Sequence, residues 1–436
     1  MYDLRICGGK AYLDRQWVQT NLYVTGGRIA NISAEPLPAV KHVDADGLKI
    51  IPGIIDPHVH LAMGSGPYTS ADDFYSGSIA AAWGGVTTYI DFLDERPTGE
   101  GIQKEFERKR KLAQNSIVDY SFHAAICELQ DTAGDIASAA LTIGSPTIKL
   151  YTTYKPAAYS SDETVEKMIR RSAENDIRIL CHAEDDDLIR FDLQEISQLS
   201  KARPAEVEVA QVLKIAEFVR KHQGNAYIVH VSSGTTIQRL SAEYGDILNR
   251  RLFLESAPHY FYFDDSVYQG SEAFRYSMTP PLKSLAEQRI LKENWRLLSV
   301  FATDHCPFMT YEKKNKKISE IPMGVGGVEH SFVLMYQLFG DEVIERYTRN
   351  PAVLHGLYPQ KGSLQIGSDA DLVFFDDSCS PYKLPNHSKQ DQSIYRDVDA
   401  HVKIEKVMSS GSFVINNGVQ SGRQGKYLRR KLTSNL

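Results

Sequence analysis

The chain has 436 residues and a formal net charge of −6, with 42% hydrophobic and 24% charged residues. Since nucleic acids and anionic membranes favour clustered positive charge, we expect neither as a partner and predict a small soluble substrate. The five cysteines lack CxxC spacing, which indicates neither a disulfide framework nor a cysteine-rich zinc site. Without a signal-like segment or an apolar run near the ~20 residues that cross a bilayer, the sequence predicts a cytoplasmic protein.

Short strand-like runs around glycine turns mark both ends of the chain. Leu22 to Ile32 shows this pattern near the N-terminus, and Gly362 to Phe375 shows it near the C-terminus. Because the middle of the chain lacks the pattern, we predict one β-sandwich built from both ends with a second domain inserted in it. The predicted segments are 1–51 and 361–436 for the sandwich and 52–360 for the inserted domain.

The inserted segment alternates short apolar runs with longer amphipathic stretches such as Asp162 to Asn175 and Pro204 to His222. This alternation is typical of βα units in a parallel sheet. Eight such runs predict an α/β fold, a (β/α)8 barrel. The runs are Ile50 to Asp56, Val86 to Phe92, Tyr120 to Ile126, Thr147 to Tyr151, Ile177 to His182, Ala226 to Val231, Arg251 to Glu255 and Leu298 to Asp304.

Residues that can bind metal ions lie in or after five of these predicted strands, toward the C-terminal end. In a barrel those ends face one rim, where active sites of this fold are found. We therefore expect the side chains to converge. They are His58 and His60 after the first strand, Lys149 in the fourth, His182 in the fifth, His230 in the sixth and Asp304 in the eighth.

The residue types suit a centre of two divalent ions. His58 and His60 are two apart, so on an extended segment both imidazoles point to one side and can bind one ion. His182 and His230 provide nitrogen ligands for a second ion. Burial of Lys149 in an apolar run favours its neutral amine, which can add carbon dioxide to give an anionic carbamate with two oxygens for the two metals.

Each residue alone has a simpler interpretation. A buried histidine is more often a hydrogen-bonded core residue than a ligand, and a lysine in an apolar run often extends its amine to solvent. An aspartate such as Asp304 commonly caps a helix. The HxH pair and the shared placement at strand ends favour the metal site over these alternatives.

Five motifs stand around these residues, in an order and spacing that are highly specific. They are Asp56 to His60 (DPHVH), Ile148 to Tyr151 (IKLY) with Tyr154, Cys181 to Glu184 (CHAE), Tyr227 to Ser232 (YIVHVS) and Thr303 to Phe308 (TDHCPF). Together they resemble the amidohydrolase superfamily and, within it, the hydantoinase and dihydropyrimidinase family of cyclic amidohydrolases. The resemblance covers nearly the whole chain.

The resemblance implies zinc as the usual metal, a carboxylated lysine at Lys149 and a homotetrameric or homodimeric assembly. It implies that Tyr154 donates its hydroxyl to the developing oxyanion. It also implies that main chain at Thr279 and Met323 holds the substrate, at positions where the family usually has serine and asparagine. The methionine puts the usual substrate in doubt.

The predicted reaction opens a cyclic amide, a 5-substituted hydantoin or a dihydropyrimidine, to an N-carbamoyl amino acid. A hydroxide that bridges the metals attacks the ring carbonyl, and Asp304 carries the proton to the leaving nitrogen. Three alternatives remain: an allantoinase-like hydrolase, phosphotriester hydrolysis on a similar centre, and a non-catalytic interaction protein related to dihydropyrimidinase. Ala62 stands where dihydroorotases place an arginine, which argues against that activity.

Three charged segments have their own interpretations. The basic run Lys313 to Lys317 is interpreted as solvated loop charge. Glu184 to Asp187 either positions His182 or caps the next helix. Gly425 to Lys431 is either a disordered tail or an arm on a neighbouring subunit.

Overall fold

A computed structural model describes residues 1–433 of the chain. Its first strands are β1 (Tyr2–Cys7), β2 (Lys10–Leu13), β3 (Gln16–Gln19), β4 (Asn21–Thr25), β5 (Arg28–Ser33), β6 (Ala39–Asp44) and β7 (Lys49–Pro52). Leu4 and Ile6 in β1 are buried while their neighbours are not, as in a sheet with one face on a core. Gly26 and Gly27 join β4 to β5 with φ of 58° and 78°, a turn backbone that glycine adopts without strain.

The middle of the chain alternates strands with helices. Its strands are β8 (Ile54–Val59), β9 (Gly64–Ser65), β10 (Tyr68–Thr69), β11 (Val86–Phe92), β12 (Asp119–Ala125), β13 (Thr147–Tyr151), β14 (Arg178–His182), β15 (Ala226–Ile228), β16 (Leu252–Ser256) and β17 (Val300–Phe301). The helices are α1 (Phe74–Trp83), α2 (Gly99–Leu112), α3 (Ala133–Thr142), α4 (Asp162–Arg171), α5 (Leu199–Ala202), α6 (Ala205–His222), α7 (Gly234–Tyr244), α8 (His259–Tyr262), α9 (Leu285–Glu293), α10 (Thr310–Lys313), α11 (Ser331–Phe339), α12 (Ile344–Tyr347) and α13 (Arg349–His355).

Eight of these strands form one parallel sheet in chain order, β8 and then β11 to β17. A bridge between Val59 and His305 brings the two edges of the sheet together, and the amide of His60 donates to the carbonyl of His305 at 2.9 Å. Helices cover the outer side, and the barrel strands are almost wholly buried. The predicted (β/α)8 barrel is confirmed.

The last strands are β18 (Leu372–Asp376), β19 (Tyr382–Lys383), β20 (Asp399–Ala400), β21 (Lys403–Ser409), β22 (Ser412–Asn416) and β23 (Val419–Gln420). β23, β22, β21 and β18 continue into β7, β2 and β3, so one seven-stranded sheet contains both ends of the chain. A four-stranded sheet, β5-β4-β1-β6, shares an apolar core with it through Leu22, Leu372 and Phe374. The domain limits at residues 51 and 360 stay a prediction.

The predicted strand Ile50 to Asp56 is wrong in its extent. The chain divides at Gly53 into β7, which belongs to the terminal sheet, and β8, which opens the barrel. A Cβ atom at Gly53 would lie 2.1 Å from Oγ1 of Thr87, so only glycine fits this crossing. The predicted sixth and eighth strands are also shorter in the structure, because the chain bends into loops before His230 and Asp304.

The C-terminal segment folds back on its own barrel. The amide of Tyr120 donates to the carbonyl of Lys426, and the amide of Leu428 donates to the carbonyl of Tyr120. The segment thus pairs alongside β12 through one parallel bridge at the N-terminal end of the barrel. Arg430 is buried there and donates to Ser121 and to main-chain carbonyls. Both interpretations of this segment, a disordered tail and an arm on a neighbour, are wrong for the part up to residue 433.

All five cysteines have free thiols in the structure. Within the described part of the chain, no helix combines the length and the apolar composition that a membrane crossing requires.

Candidate metal centre

The side chains of His58, His60 and Asp304 meet at the C-terminal end of the barrel, which we call the mouth. Nε2 of His58 lies 3.2 Å from Nε2 of His60. Each of these nitrogens lies 3.1 Å from Oδ1 of Asp304. The residues thus converge where the strand ends predict, with both imidazoles of the HxH pair on one side of the chain.

A buried glutamate orients the first of these histidines. Nδ1 of His58 lies 2.6 Å from Oε1 of Glu255, whose Oε2 accepts a hydrogen bond of 2.8 Å from the hydroxyl of Tyr227. This contact turns Nε2 of His58 toward Asp304. Burial disfavours protonation, but the charges of Glu255 and Asp304 outweigh it and raise the pKa of His58 to about 9. Burial lowers the pKa of His60 to about 4, which keeps its nitrogen free to bind a cation.

His230 lies between the first histidine pair and His182. Its ring centroid is 5.4 Å from that of His58 and 4.5 Å from that of His182. Nδ1 of His230 is buried and has no hydrogen-bond partner among residues 1–433. Such a nitrogen costs free energy unless another species, such as a metal ion, uses its lone pair. Ligand atoms of His58, His230 and Asp304 all lie within 4.8 Å of one another.

The amine of Lys149 is buried without a counter-charge. The residue is 1% exposed, and Nζ lies 4.9 Å from the ring centre of Phe92 and 4.7 Å from that of Tyr151. No carboxylate in the described chain forms an ion pair with it. Burial lowers the pKa of Lys149 to about 8, although the charge of Asp304 acts in the opposite direction. The side chain does not extend to solvent, and burial makes its amine easier to deprotonate than that of an exposed lysine.

Tyr154 and Thr279 contact each other beside the histidines. The hydroxyl of Tyr154 lies 2.6 Å from Oγ1 of Thr279, and its ring is 5.2 Å from that of His182. Tyr154 has a φ of 73°, in the left-handed region, and its amide donates to Asp186. Burial raises the pKa of Tyr154 above its usual range, so the hydroxyl stays protonated as a hydrogen-bond donor.

Lys313 links the main chain beside Thr279 to the main chain beside Met323. The amide of Gly324 donates to the carbonyl of Ser277 at 2.9 Å. Nζ of Lys313 donates to that same carbonyl at 3.1 Å and to the carbonyl of Gly324. Lys313 is buried, so the prediction of solvated charge is wrong for this member of the basic run, because carbonyl oxygens replace water around it. Burial lowers the pKa of Lys313 to about 7.

Two carboxylates beside the site, those of Asp56 and Glu255, were not among the site residues predicted from the sequence. Asp56 accepts hydrogen bonds from the amide of His58 and the hydroxyl of Thr303, so it fastens the first barrel strand to the last. Glu255 orients His58. Both stand in the predicted strands just before the rim, which was the available signal, but carboxylates at such positions can equally serve packing.

In the acidic segment Glu184 to Asp187, both predicted roles occur: one residue positions His182 and another caps a helical turn. The carboxylate of Glu184 lies 2.7 Å from Nε2 of His182 and accepts from Arg203 at 2.6 Å, so it positions the histidine. Asp185 accepts from the amide of Asp187 and caps a short 3₁₀ turn.

Comparison with known proteins agrees with this geometry. A model of the amidohydrolase family matches residues 50–414. The D-phenylhydantoinase of Escherichia coli O127:H6 (strain E2348/69 / EPEC) is 29% identical over 446 aligned positions that cover 94% of each chain. The D-phenylhydantoinase of E. coli strain 55989 / EAEC is 30% identical, covering 92% of this chain and 91% of its own.

Solved structures give the same result over the full length. A D-hydantoinase from Bacillus sp. AR9 superposes with a TM-score of 0.94 and 26% identity over 99% of this chain and 100% of its own. A dihydropyrimidinase from Brevibacillus agri NCHU1002 superposes with a TM-score of 0.94 over 100% of both chains, and at 24% identity it shows the shared fold.

Proposed function

This chain belongs to the amidohydrolase family and is similar to hydantoinases and dihydropyrimidinases. We propose that it hydrolyses a cyclic amide ring to an N-carbamoyl amino acid. The proposed substrates are a 5-substituted hydantoin or a dihydropyrimidine. The observation that carries the proposal is the convergence of His58, His60 and Asp304, with His230 and Lys149, at the mouth of the barrel.

The donor set fits two divalent ions. Two imidazole nitrogens 3.2 Å apart beside one carboxylate suit a cation between them, and the unpartnered Nδ1 of His230 offers another ligand. His58, His60, Lys149, His182, His230 and Asp304 would hold the ions, with Lys149 as a carbamate. When bound, such ions polarise a carbonyl oxygen and lower the pKa of a bound water to ~7. Zinc as the metal follows from the family resemblance.

The carbamate on Lys149 is supported by its surroundings. The amine lies among aromatic rings without an acidic partner, and burial lowers its pKa to about 8. A neutral amine can bond to carbon dioxide, whereas an ammonium cannot. Conversion to an anion would place negative charge among the four histidines.

Asp304 is the proposed proton carrier. Its carboxylate accepts the proton that the attacking water loses and returns it to the ring nitrogen that leaves. The hydroxyl of Tyr154 donates to the carbonyl oxygen as negative charge develops on it, and the raised pKa of this phenol keeps the proton available. Main chain at Thr279 and Met323 binds the ring's amide edge.

The test is an assay of purified, metal-loaded protein against a panel of 5-substituted hydantoins, dihydrouracil, allantoin and a phosphotriester. We expect ring opening of a hydantoin or dihydropyrimidine and a loss of turnover in Asp304→Asn with metal retained. Preferred turnover of allantoin or the phosphotriester would select those alternatives. Purified protein without metal or turnover would select the non-catalytic relative. A homotetramer or homodimer and a cytoplasmic location complete the proposal.

A further inference from the structure

The opposite end of the barrel, which we call the base, contains arginines where the mouth contains histidines. Arg178 begins β14, Asn225 directly precedes β15 and Arg251 directly precedes β16. The amide of Ile179 donates to Asn225 and the amide of Ala226 donates to Arg251, so these three positions are neighbours at the N-terminal ends of three adjacent strands.

A cavity of about 620 Å³ opens at the base. No aspartate or glutamate of the described chain lines it. Its polar lining consists chiefly of three arginines and three asparagines, which are Arg178, Arg250, Arg251, Asn175, Asn225 and Asn249. A cavity with this lining offers hydrogen-bond donors and positive charge in a chain whose net charge is negative.

Arg178 is the buried arginine of this group. It is 3% exposed, and its guanidinium lies 4.7 Å from the ring centre of Phe253 and donates to the carbonyl of Leu354. Its Nε is buried without a hydrogen-bond partner among residues 1–433. Within that range no carboxylate forms an ion pair with it. Burial lowers the pKa of Arg178 to about 10.

An adjoining cavity of about 270 Å³ continues the arginine-rich surface and shares Asn249 and Phe253 with the first. Arg349 lines it without an acidic partner among the residues the structure describes. Arg296 also lines it, but this arginine forms an ion pair of 2.7 Å with Glu342. Arg178 and Arg349 differ from Arg296 in lacking such a counter-charge.

A buried charge without a partner destabilises a folded protein, and an arginine's planar donors match the oxygens of a phosphate or a carboxylate. We propose that the cavity at the base is a binding site for the phosphate group of a small solute, with Arg178 as its buried donor. The arginines favour phosphate because it carries close to two negative charges near neutral pH, whereas a carboxylate carries one. This site is distinct from the proposed metal centre and independent of the proposed function.

The test measures binding of inorganic phosphate to the full, metal-loaded protein, by the shift in melting temperature at constant ionic strength set with sodium chloride. A ligand that binds only the folded state raises the melting temperature in a concentration-dependent way. We expect a saturable shift and at least tenfold weaker apparent affinity in Arg178→Met. Arg178→Lys should bind phosphate better than Arg178→Met, and acetate should bind the unchanged protein more weakly than phosphate.

Two control variants locate the effect. Arg296→Met removes an exposed, ion-paired arginine of the adjoining cavity and should leave phosphate affinity unchanged. Asp304→Asn alters the predicted metal centre and should also leave it unchanged, whereas phosphate bound at that centre would respond. A shift that survives fully in Arg178→Met, or is absent in the unchanged protein, would overturn the proposal, as would acetate binding as tightly as phosphate.

The last control concerns the chain's own C-terminal end, since Leu432 and Thr433 line the cavity. A chain extended after Leu436 with uncharged residues should bind phosphate as before. If phosphate bound only to the extended chain, the proposal would be overturned, because the site would not serve a solute in the unextended chain.

Discussion

Two buried lysines, one at the mouth of the barrel and one at its junction with the terminal sheets, have opposite surroundings. Lys149 and Lys361 are each 1% exposed. Nζ of Lys361 lies 2.7 Å from carboxylate oxygens of Asp119 and Asp371 and 3.0 Å from one of Asp369. Nζ of Lys149 contacts aromatic rings instead.

The difference shows that burial of one residue type gives opposite charge environments in two regions of the molecule. Burial opposes the charge of both lysines. At Lys361 the carboxylates of Asp371 and Asp119 outweigh burial and raise the pKa, so the ammonium is stabilised as a structural ion. At Lys149 burial prevails and lowers the pKa to about 8. The mouth therefore contains an amine that loses its proton more readily than an exposed lysine does, whereas the junction holds a fixed charge between segments far apart in sequence.

Replacing Lys149 should give the largest effect. We expect Lys149→Ala to lose bound metal and to lower kcat/KM by about 10³-fold or more, which is ~4 kcal/mol of transition-state stabilisation. Short carboxylic acids should partly restore both by replacing the carbamate oxygens. Compared with the unchanged protein stripped of metal, the melting temperature of Lys149→Ala should fall little, because no ion pair is broken. Metal analysis and steady-state kinetics check this, and full metal content with near-normal turnover would contradict the role assigned to Lys149.

The matched change at the junction should reverse the pattern. Lys361→Ala leaves the buried carboxylate of Asp371 without its cation, while Asp119 keeps its ion pair of 2.8 Å with Arg423. We expect this change to destabilise the fold by roughly 3–5 kcal/mol. Metal content per folded molecule and kcat/KM should change little. Thermal or urea unfolding checks the first expectation. If Lys361→Ala lost metal while keeping its stability, the contrast between the two lysines would be wrong.

A smaller effect is expected at Glu255, whose carboxylate contacts Nδ1 of His58 at 2.6 Å. Glu255→Gln removes the charge that orients the imidazole and should weaken metal affinity about 10- to 100-fold. Glu329→Gln is the control, since Glu329 makes an equally short contact of 2.6 Å with His387. Equal metal affinity in the two variants, measured by competition with a chelator, would remove Glu255 from the site.

Lys313 is an intermediate case, buried like the other two lysines but surrounded by carbonyl oxygens. In Lys313→Met we expect KM to rise about fivefold with little change in kcat, which corresponds to ~1 kcal/mol for lost hydrogen bonds that align the main chain at the mouth. The exposed neighbour Lys314 provides the control variant Lys314→Met. A fall in kcat with KM unchanged would instead place the effect on the chemical step.

Much of the fold and of the candidate site follows from local pattern. Eight apolar runs with helical intervals predict the barrel, because a strand buried on both faces has few polar residues. The ligand types and their positions at strand ends predict that His58, His182 and Asp304 share a rim, since parallel strands place those ends on one side. The glycine turns predict strands at both ends of the chain.

Other features depend on contacts between residues far apart in the chain. Gly53 divides a run that appears continuous in the sequence, because Thr87 approaches it in the folded chain. The sequence alone could not distinguish Lys313, in a basic run, from its solvated neighbours. The carbonyls that surround it come partly from Ser277.

The sequence by itself determined the periodicity of the barrel strands and the residue types of the candidate metal ligands, since these are properties of short stretches. Only the tertiary structure decided the charge environment of each buried group. Lys149 and Lys361 are both buried, and the neighbours that distinguish them are brought together by strand order and by the crossing of the terminal sheets. A pKa depends on distances to those neighbours and on exclusion of water, and both are fixed when the chain folds.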